Sequence, residues 1–261
     1  MLTTNPFAEL SALLSPSVMQ TYIVIMVILV AAGTIFDVLH KKSARYFRQN
    51  MRKAKASATQ KVGSGEMLSM AIKTAVVDVA ASGEFCNPRR RIAHLLTMYG
   101  FVAFAITTAV MVFSYATPAT PTPPIVPQLW HIGALLVCLG GYWFWFFIRV
   151  DVAAEGSSPF RVMRADLFIL SLLASATFAL VWSYLQSTDN SWAMTAFGIH
   201  VLATTVLFGS VPWSKFAHMF FKPAAAFEKR VSAANGSRSN LPAPADKPET
   251  LGSPVEQPRH Y

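Results

Sequence analysis

Five predominantly apolar stretches divide the chain, at residues 18–39, 92–115, 129–150, 167–185 and 192–213. Each is close to the ~20 residues that an α-helix needs to cross a hydrocarbon core. The pattern predicts an all-α integral membrane protein, a bundle of five transmembrane helices. Ser15-Pro16-Ser17 gives the first helix its start signal. Residues 66–85 also read as helical, but Lys73, Asp78 and Glu84 interrupt them too often for a crossing. Residues 1–17 form a short polar segment with one acid, Glu9, and no Lys or Arg. Without a positive n-region, the first stretch is expected to be retained rather than cleaved as a signal peptide. Residues 116–128 hold five prolines and no charge, as an extended loop would. From Val231 to Tyr261 the chain turns to Ser, Pro, Ala and charge, and reads as a disordered tail.

The polar loops set the expected orientation. Between Lys41 and Lys61 there are eight basic residues and no acid. Arg89, Arg90 and Arg91 precede the second stretch, Arg149, Arg161 and Arg164 follow the third, and Lys215, Lys222, Lys229 and Arg230 follow the fifth. By the positive-inside rule all of these lie in the cytoplasm, which places the N-terminus outside and the C-terminus inside. Residues 40–91 then form a basic cytoplasmic loop, and residues 214–230 a second cytoplasmic segment. Lys41, Arg45, Arg48, Arg52 and Lys55 recur at steps of four and three, so a helix there has one basic face, with Tyr46, Phe47 and Met51 off the stripe. Such a face suits anionic membrane lipid. It also suits docking of an acidic soluble protein. No nucleic-acid partner is expected.

Composition agrees: 53% of the 261 residues are hydrophobic and 13% charged, against about 25% charged in soluble domains. Cys86 and Cys138 are the only cysteines, too few for a self-contained cysteine-ligated iron–sulfur cluster or a CxxCH haem attachment. There is no internal repeat, no nucleotide-binding glycine motif and no candidate catalytic residue. No stretch carries a charge in its middle, which argues against a pump or ion transporter.

The histidines carry the candidate chemistry. A polar ring in lipid needs a partner, because leaving it unsatisfied costs several kcal/mol. Of six histidines, His40 and His260 lie outside the apolar stretches. His94 and His218 lie at the cytoplasmic ends of the second and fifth. His131 and His200 lie in the outer halves of the third and fifth. His200 and His218 are eighteen residues apart, about five helical turns, so one continuous helix would point both rings the same way. The four sort into two pairs at two depths, as two non-covalent b haems would require, with haem iron as the only metal. Arg89, Arg90, Arg91, Lys215 and Lys222 stand where the propionates of a cytoplasmic-side haem would emerge. Phe101, Phe104, Phe208, Phe216 and Phe220 are its candidate walls. The outer pair depends on the third helix starting near Pro127; otherwise the depths of His131 and His200 differ by up to ~10 Å. Trp130, His131 and Tyr142 are the candidates for contact with a quinone.

PRRRIAHLLTMYGF, leading into the second stretch, and VPWSKFAHMFFKP, closing the fifth, resemble the dihaem membrane subunits of the nitrate reductase gamma-subunit superfamily. Within it, the sequence is most similar to the membrane part of the quinone-interacting membrane-bound oxidoreductase complex and to the membrane anchor of dissimilatory adenylylsulfate reductase. The resemblance covers roughly residues 18–225 and implies five helices in the bacterial cytoplasmic membrane. It implies b haems held by the second and last helices, and electron exchange between a cytoplasmic flavin and iron–sulfur enzyme and membrane quinone. His94 matches the family's ligand on the second helix, and His200 and His218 match the pair on the last. The superfamily often has a second histidine on the second helix, where this chain has none near Phe104. Either His131 substitutes or the outer haem is absent, so one or two haems are expected. With no cysteine-rich segment, the chain is most similar to the short adenylylsulfate reductase anchor. The alternative expectation is a haem-free tether for a soluble enzyme.

Overall fold

The computed structural model describes residues 1–40, 43–83, 85, 87–151, 156, 158–213 and 218–237, apart from the side chains of residues 43, 44, 46, 218, 220 and 221. Among these residues the fold is helical, without strands. The elements are α1 (Pro6–Leu10), α2 (Pro16–His40), α3 (Ser43–Ala56), α4 (Ser64–Lys73), a π-helical stretch (Thr74–Ala80), α5 (Pro88–Ser114) and α6 (Ile125–Trp143). A second π-helical stretch (Phe144–Ile148), α7 (Leu167–Ser187), α8 (Ala193–Gly209) and α9 (His218–Ala234) follow. Four helical segments are long and apolar enough to cross a membrane: Pro16–His40, Pro88–Ser114, Ile125–Ile148 and Arg164–Ser187. These define an all-α, multi-pass membrane architecture. α8 is equally apolar but has 17 residues, a length of ~25 Å at ~1.5 Å per residue.

The helices meet at their small residues, as expected where lipid is as apolar as the side chains and close backbone approach supplies the attraction. α5 and α6 are the tightest pair. A Cβ on Gly133 would stand 2.7 Å from the Phe104 nitrogen, and one on Gly140 would stand 2.5 Å from the Ala93 carbonyl. α7 and α8 join through Ser175, whose hydroxyl lies 2.8 Å from Thr204 Oγ1. α2 is held more sparsely. Tyr22 Oη donates to the Val201 carbonyl at 3.0 Å, Gln20 Nε2 donates to the Val112 carbonyl at 3.1 Å, and Gly33 fits against Val211 and Pro212.

The N-terminal segment is not merely a polar lead-in. Asn5 caps α1 by accepting from the Phe7 and Ala8 amides at 3.0 and 3.2 Å, with Pro6 at the first helical position. The same Asn-Pro device opens α5, where Asn87 accepts from Arg89 N at 3.0 Å. α1 folds over one end of the bundle, with the Phe7 ring edge-on to Trp130 and Trp182. Asn5 Nδ2 donates to the Tyr115 carbonyl, and Gln186 Nε2 donates to Glu9.

The opposite, basic end carries a peripheral helical layer. Arg230 of α9 grips Asp78 of the π-helical stretch through three hydrogen bonds of 2.7 to 3.0 Å. The Asn235 carbonyl accepts from the Thr59 and Gln60 amides. A disordered tail is expected from Val231, but α9 runs to Ala234, and Val231, Ser232 and Asn235 are buried. Residues 238–261 lie outside the described residues. At the same end Arg149 is fully buried. It donates to Asp166 Oδ2 and to the Ser158 and Arg161 carbonyls, each at 2.6 Å, and stacks over Trp145 at 4.1 Å.

The last apolar stretch departs from expectation. The helix expected over residues 192–213 ends at Gly209, and residues 211–213 form a turn. Proline disfavours helix in the residue before it and clashes with the carbonyl four residues back. Pro212 therefore acts on Val211 and Phe208, and the chain leaves the helix at Gly209. His200 and His218 stand on separate helices, α8 and α9, so their eighteen-residue spacing fixes no common face.

Candidate functional site: a histidine-lined cavity

Because α2 stands off from its neighbours, a cavity of about 790 Å³ opens between it and α5, α7 and α8. That is within the ~300–1,000 Å³ typical of cofactor and ligand pockets. Its α2 wall runs from Val18 to Ile35, about 26 Å of helix. Phe101, Phe104, Leu172, Phe197, Leu207 and Phe208 line it, with Tyr22, Thr34, Thr108, Ser175, His200 and Thr204 as the polar contributors. Phe101, Phe104 and Phe208, expected around a cytoplasmic-side haem, line the same cavity as His200, with Phe104 against its ring and Phe101 against Phe208. Phe216 lies outside the described residues, as does the Phe220 side chain.

His200 is 7% exposed. Its Nδ1 lies 2.9 Å from the Ser175 carbonyl, to which it donates, and 3.3 Å from Ser175 Oγ. Trp182 stacks on the ring at 6.1 Å and 13°, and Phe104 meets it edge-on at 6.2 Å. Placing the proton on Nδ1 leaves Nε2 with a lone pair. Nε2 has no hydrogen-bond partner among the described residues, and the ring lines the cavity. A carbonyl behind one nitrogen and an open lone pair on the other is the arrangement of a metal-ligating histidine. The apolar, aromatic walls suit a flat hydrophobic cofactor, so the residues present fit a haem.

His131 is placed otherwise. α6 starts at Ile125, so His131 lies about two turns into its helix, as His200 does in α8. The depths are compatible, but the ring faces α7. Nδ1 bonds the Pro127 carbonyl at 2.7 Å, and Nε2 bonds Ser183 Oγ at 2.8 Å. With both nitrogens engaged, and no place in the cavity lining, His131 does not face His200 across a cofactor. Trp130 is also buried, and Nε1 donates to Thr108 Oγ1 at 2.8 Å. Tyr142 is exposed, with its hydroxyl 2.9 Å from Thr177 Oγ1.

At the basic end a second group gathers around Phe85. His94 lies tilted against it at 4.9 Å and 46°, Arg90 lies 5.9 Å above it, and Lys222 of α9 approaches to 5.3 Å. His94 Nδ1 lies 3.0 Å from Ser82 Oγ. Ser82 is buried and held at φ 49°, a conformation uncommon outside glycine. Arg91 Nε donates to the Ala81 carbonyl at 2.8 Å, and Arg89 is exposed. The structure thus brings together His94, Arg90 and Lys222. His218 opens α9 one turn before Lys222, but its side chain lies outside the described residues, as do Lys41 and Lys215. Arg45, Arg48, Arg52 and Lys55 are all exposed on α3, while Phe47 and Met51 are half-buried, so the expected basic face is present. Sequence reading missed Ser82 and Ser175; a small polar residue carries no signal until its helix face is known.

No family model and no solved structure matches the chain. It is similar to citrate utilization protein B of Escherichia coli, with 27% identity over 168 residues, 62% of this chain and 42% of that protein. The chain thus spans less than half the length of this relative.

Proposed function

We propose that this chain is a b-type cytochrome membrane anchor, exchanging electrons between a soluble flavin and iron–sulfur oxidoreductase and membrane quinone. The observation that carries the reading is His200: buried, fixed through Nδ1 by Ser175, with Nε2 open to a large aromatic cavity. A bound haem supplies one-electron redox chemistry. The chain's residues hold the ring, set its surroundings and exclude water. His200 is the ligand in the α2 cavity. His94 and His218 are the ligands of a second haem at the basic end, with Arg89, Arg90, Arg91, Lys215 and Lys222 for its propionates. The basic end faces the cytoplasm and α8 makes the fifth crossing; at ~25 Å it lies at the short limit for a span. The basic face of α3 receives the acidic soluble partner.

The partner has two readings. The resemblance in the His94 and His218 segments favours adenylylsulfate reductase, in the bacterial cytoplasmic membrane. The similarity to citrate utilization protein B favours an enzyme acting on a citrate-like carboxylate. Pull-down with each purified enzyme, and its loss on reversing the charges of Arg45, Arg48 and Arg52, separates the two.

The direct test is a dithionite-reduced minus oxidised visible spectrum of detergent-purified protein, with haem counted per chain. Two haems are expected, one lost in His200→Ala and the other in His94→Ala. A folded protein without haem would leave the haem-free tether as the account.

A further inference from the structure

The second axial donor in the α2 cavity follows from helix register. The cavity lining contains one histidine, His200, and no cysteine. Its other soft donors are the thioethers of Met19 and Met26, both buried and both on α2. α2 and α8 run parallel: Tyr22 Oη lies 3.0 Å from both the Val201 carbonyl and Thr205 Oγ1, and eleven residues on Gly33 meets Val211. Met19 therefore lies within one turn of the level of His200, while Met26 lies two turns further along α2 than Met19. Side chains on both helices lean toward their N-termini, so the two donor atoms shift the same way along the axis. We infer that Met19 is a second axial ligand, its thioether opposing His200 in a His/Met haem site, where the resemblance alone leads one to look for a second histidine.

The inference rests on the haem reading proposed above and extends it to a residue on the first helix. It explains how the position near Phe104 dispenses with a histidine: the partner donor comes from α2 rather than α5. Thioether ligation raises a haem's reduction potential relative to two imidazoles. This haem is therefore the higher-potential of the two.

The test uses the full-length, detergent-purified protein and variants Met19→Leu, Met26→Leu and Met19→His, read by near-infrared magnetic circular dichroism, electron paramagnetic resonance and redox titration. The wild type should show one thioether-ligated and one bis-imidazole haem. Met19→Leu should keep its haem count, lose the thioether band, turn one haem high-spin and lower its potential. Met19→His should restore a low-spin spectrum at a potential below wild type, and Met26→Leu should change nothing. Haem with bis-imidazole signals only, or loss of the thioether band in Met26→Leu but not Met19→Leu, would overturn the assignment to Met19 while leaving the cytochrome reading intact. A folded wild type without haem would overturn both.

Discussion

Substituting Gly133 by alanine tests whether α5 and α6 truly pack backbone to backbone. A Cβ there meets the Phe104 nitrogen at 2.7 Å and the Gly100 carbonyl at 2.8 Å, roughly 0.7 Å inside ordinary contact at 3.4 Å. Both obstacles are main-chain atoms, so no rotamer change relieves them and the helices must separate. Overpacking of this kind costs about 1–3 kcal/mol. Gly→Ala in a helix also gains about 1 kcal/mol of propensity, so the single variant understates the clash. Gly198 supplies the control. It is helical, exposed, and a Cβ there meets nothing within 4 Å. Both variants share the propensity gain, and their difference isolates the clash. At about 2–4 °C per kcal/mol, Gly133→Ala should melt several degrees below Gly198→Ala in detergent, read by loss of the monodisperse peak after heating. Gly133→Leu should not yield folded protein. Equal melting of the two alanine variants would refute the close seam.

Other outcomes follow from the same geometry. His131→Ala leaves Ser183 Oγ without its buried partner, at about 1–3 kcal/mol; thermal stability should fall while haem per chain is unchanged, and loss of a haem would return His131 to the ligands. Arg149→Ala strands the Asp166 carboxylate in a buried site, at about 3–5 kcal/mol; adding Asp166→Asn should recover part of the yield of folded protein, and a double variant no better than the single would refute the pairing. Arg230→Ala loosens α9 from the π-helical stretch. The pair is partly exposed, so the cost is about 1 kcal/mol, seen as faster proteolysis within α9 with α5 to α8 intact.

Much of the architecture is legible from apolar run length alone, because a lipid-facing helix has to be apolar throughout. α2, α5, α6 and α7 fall where the runs place them, and α3 falls where charge recurs at helical spacing. What escapes is local or depends on facing. α1 is five residues long and shows no periodicity; only the aromatic pocket of Trp130 and Trp182 gives Phe7 a reason to be buried. The end of α8 turns on Pro212 acting upstream of itself, so the apolar run outlasts the helix. α9 extends past Val231 because Arg230 finds Asp78, 152 residues away. The run boundaries supply the depth of each histidine. Their direction depends on helix rotation, which α6 and α8, apolar on nearly every side, do not encode in their pattern.

Direction is what separates the two deep histidines. His131 and His200 are the same residue type, each buried, each about two turns from a helix start, each next to Trp130 or Trp182. Counting their nitrogens divides them. His131 has two nitrogens and two protein partners, a closed account that explains its burial as structure. His200 has one partner and a lone pair facing an apolar cavity, a state that costs several kcal/mol in a lipid-exposed bundle unless something else satisfies it. Water is a poor candidate there, since a bound water needs two to four polar partners; Ser175 and Thr204 are bonded to each other, Tyr22 is bonded to Val201 and Thr205, and the rings packed around His200 are Phe104, Trp182 and Phe197. A lipid chain fills volume but offers the nitrogen nothing. A haem, flat and apolar with an electron-pair acceptor at its centre, would meet that requirement, and that is why the proposed cytochrome reading rests on His200 rather than on the number of histidines in the chain.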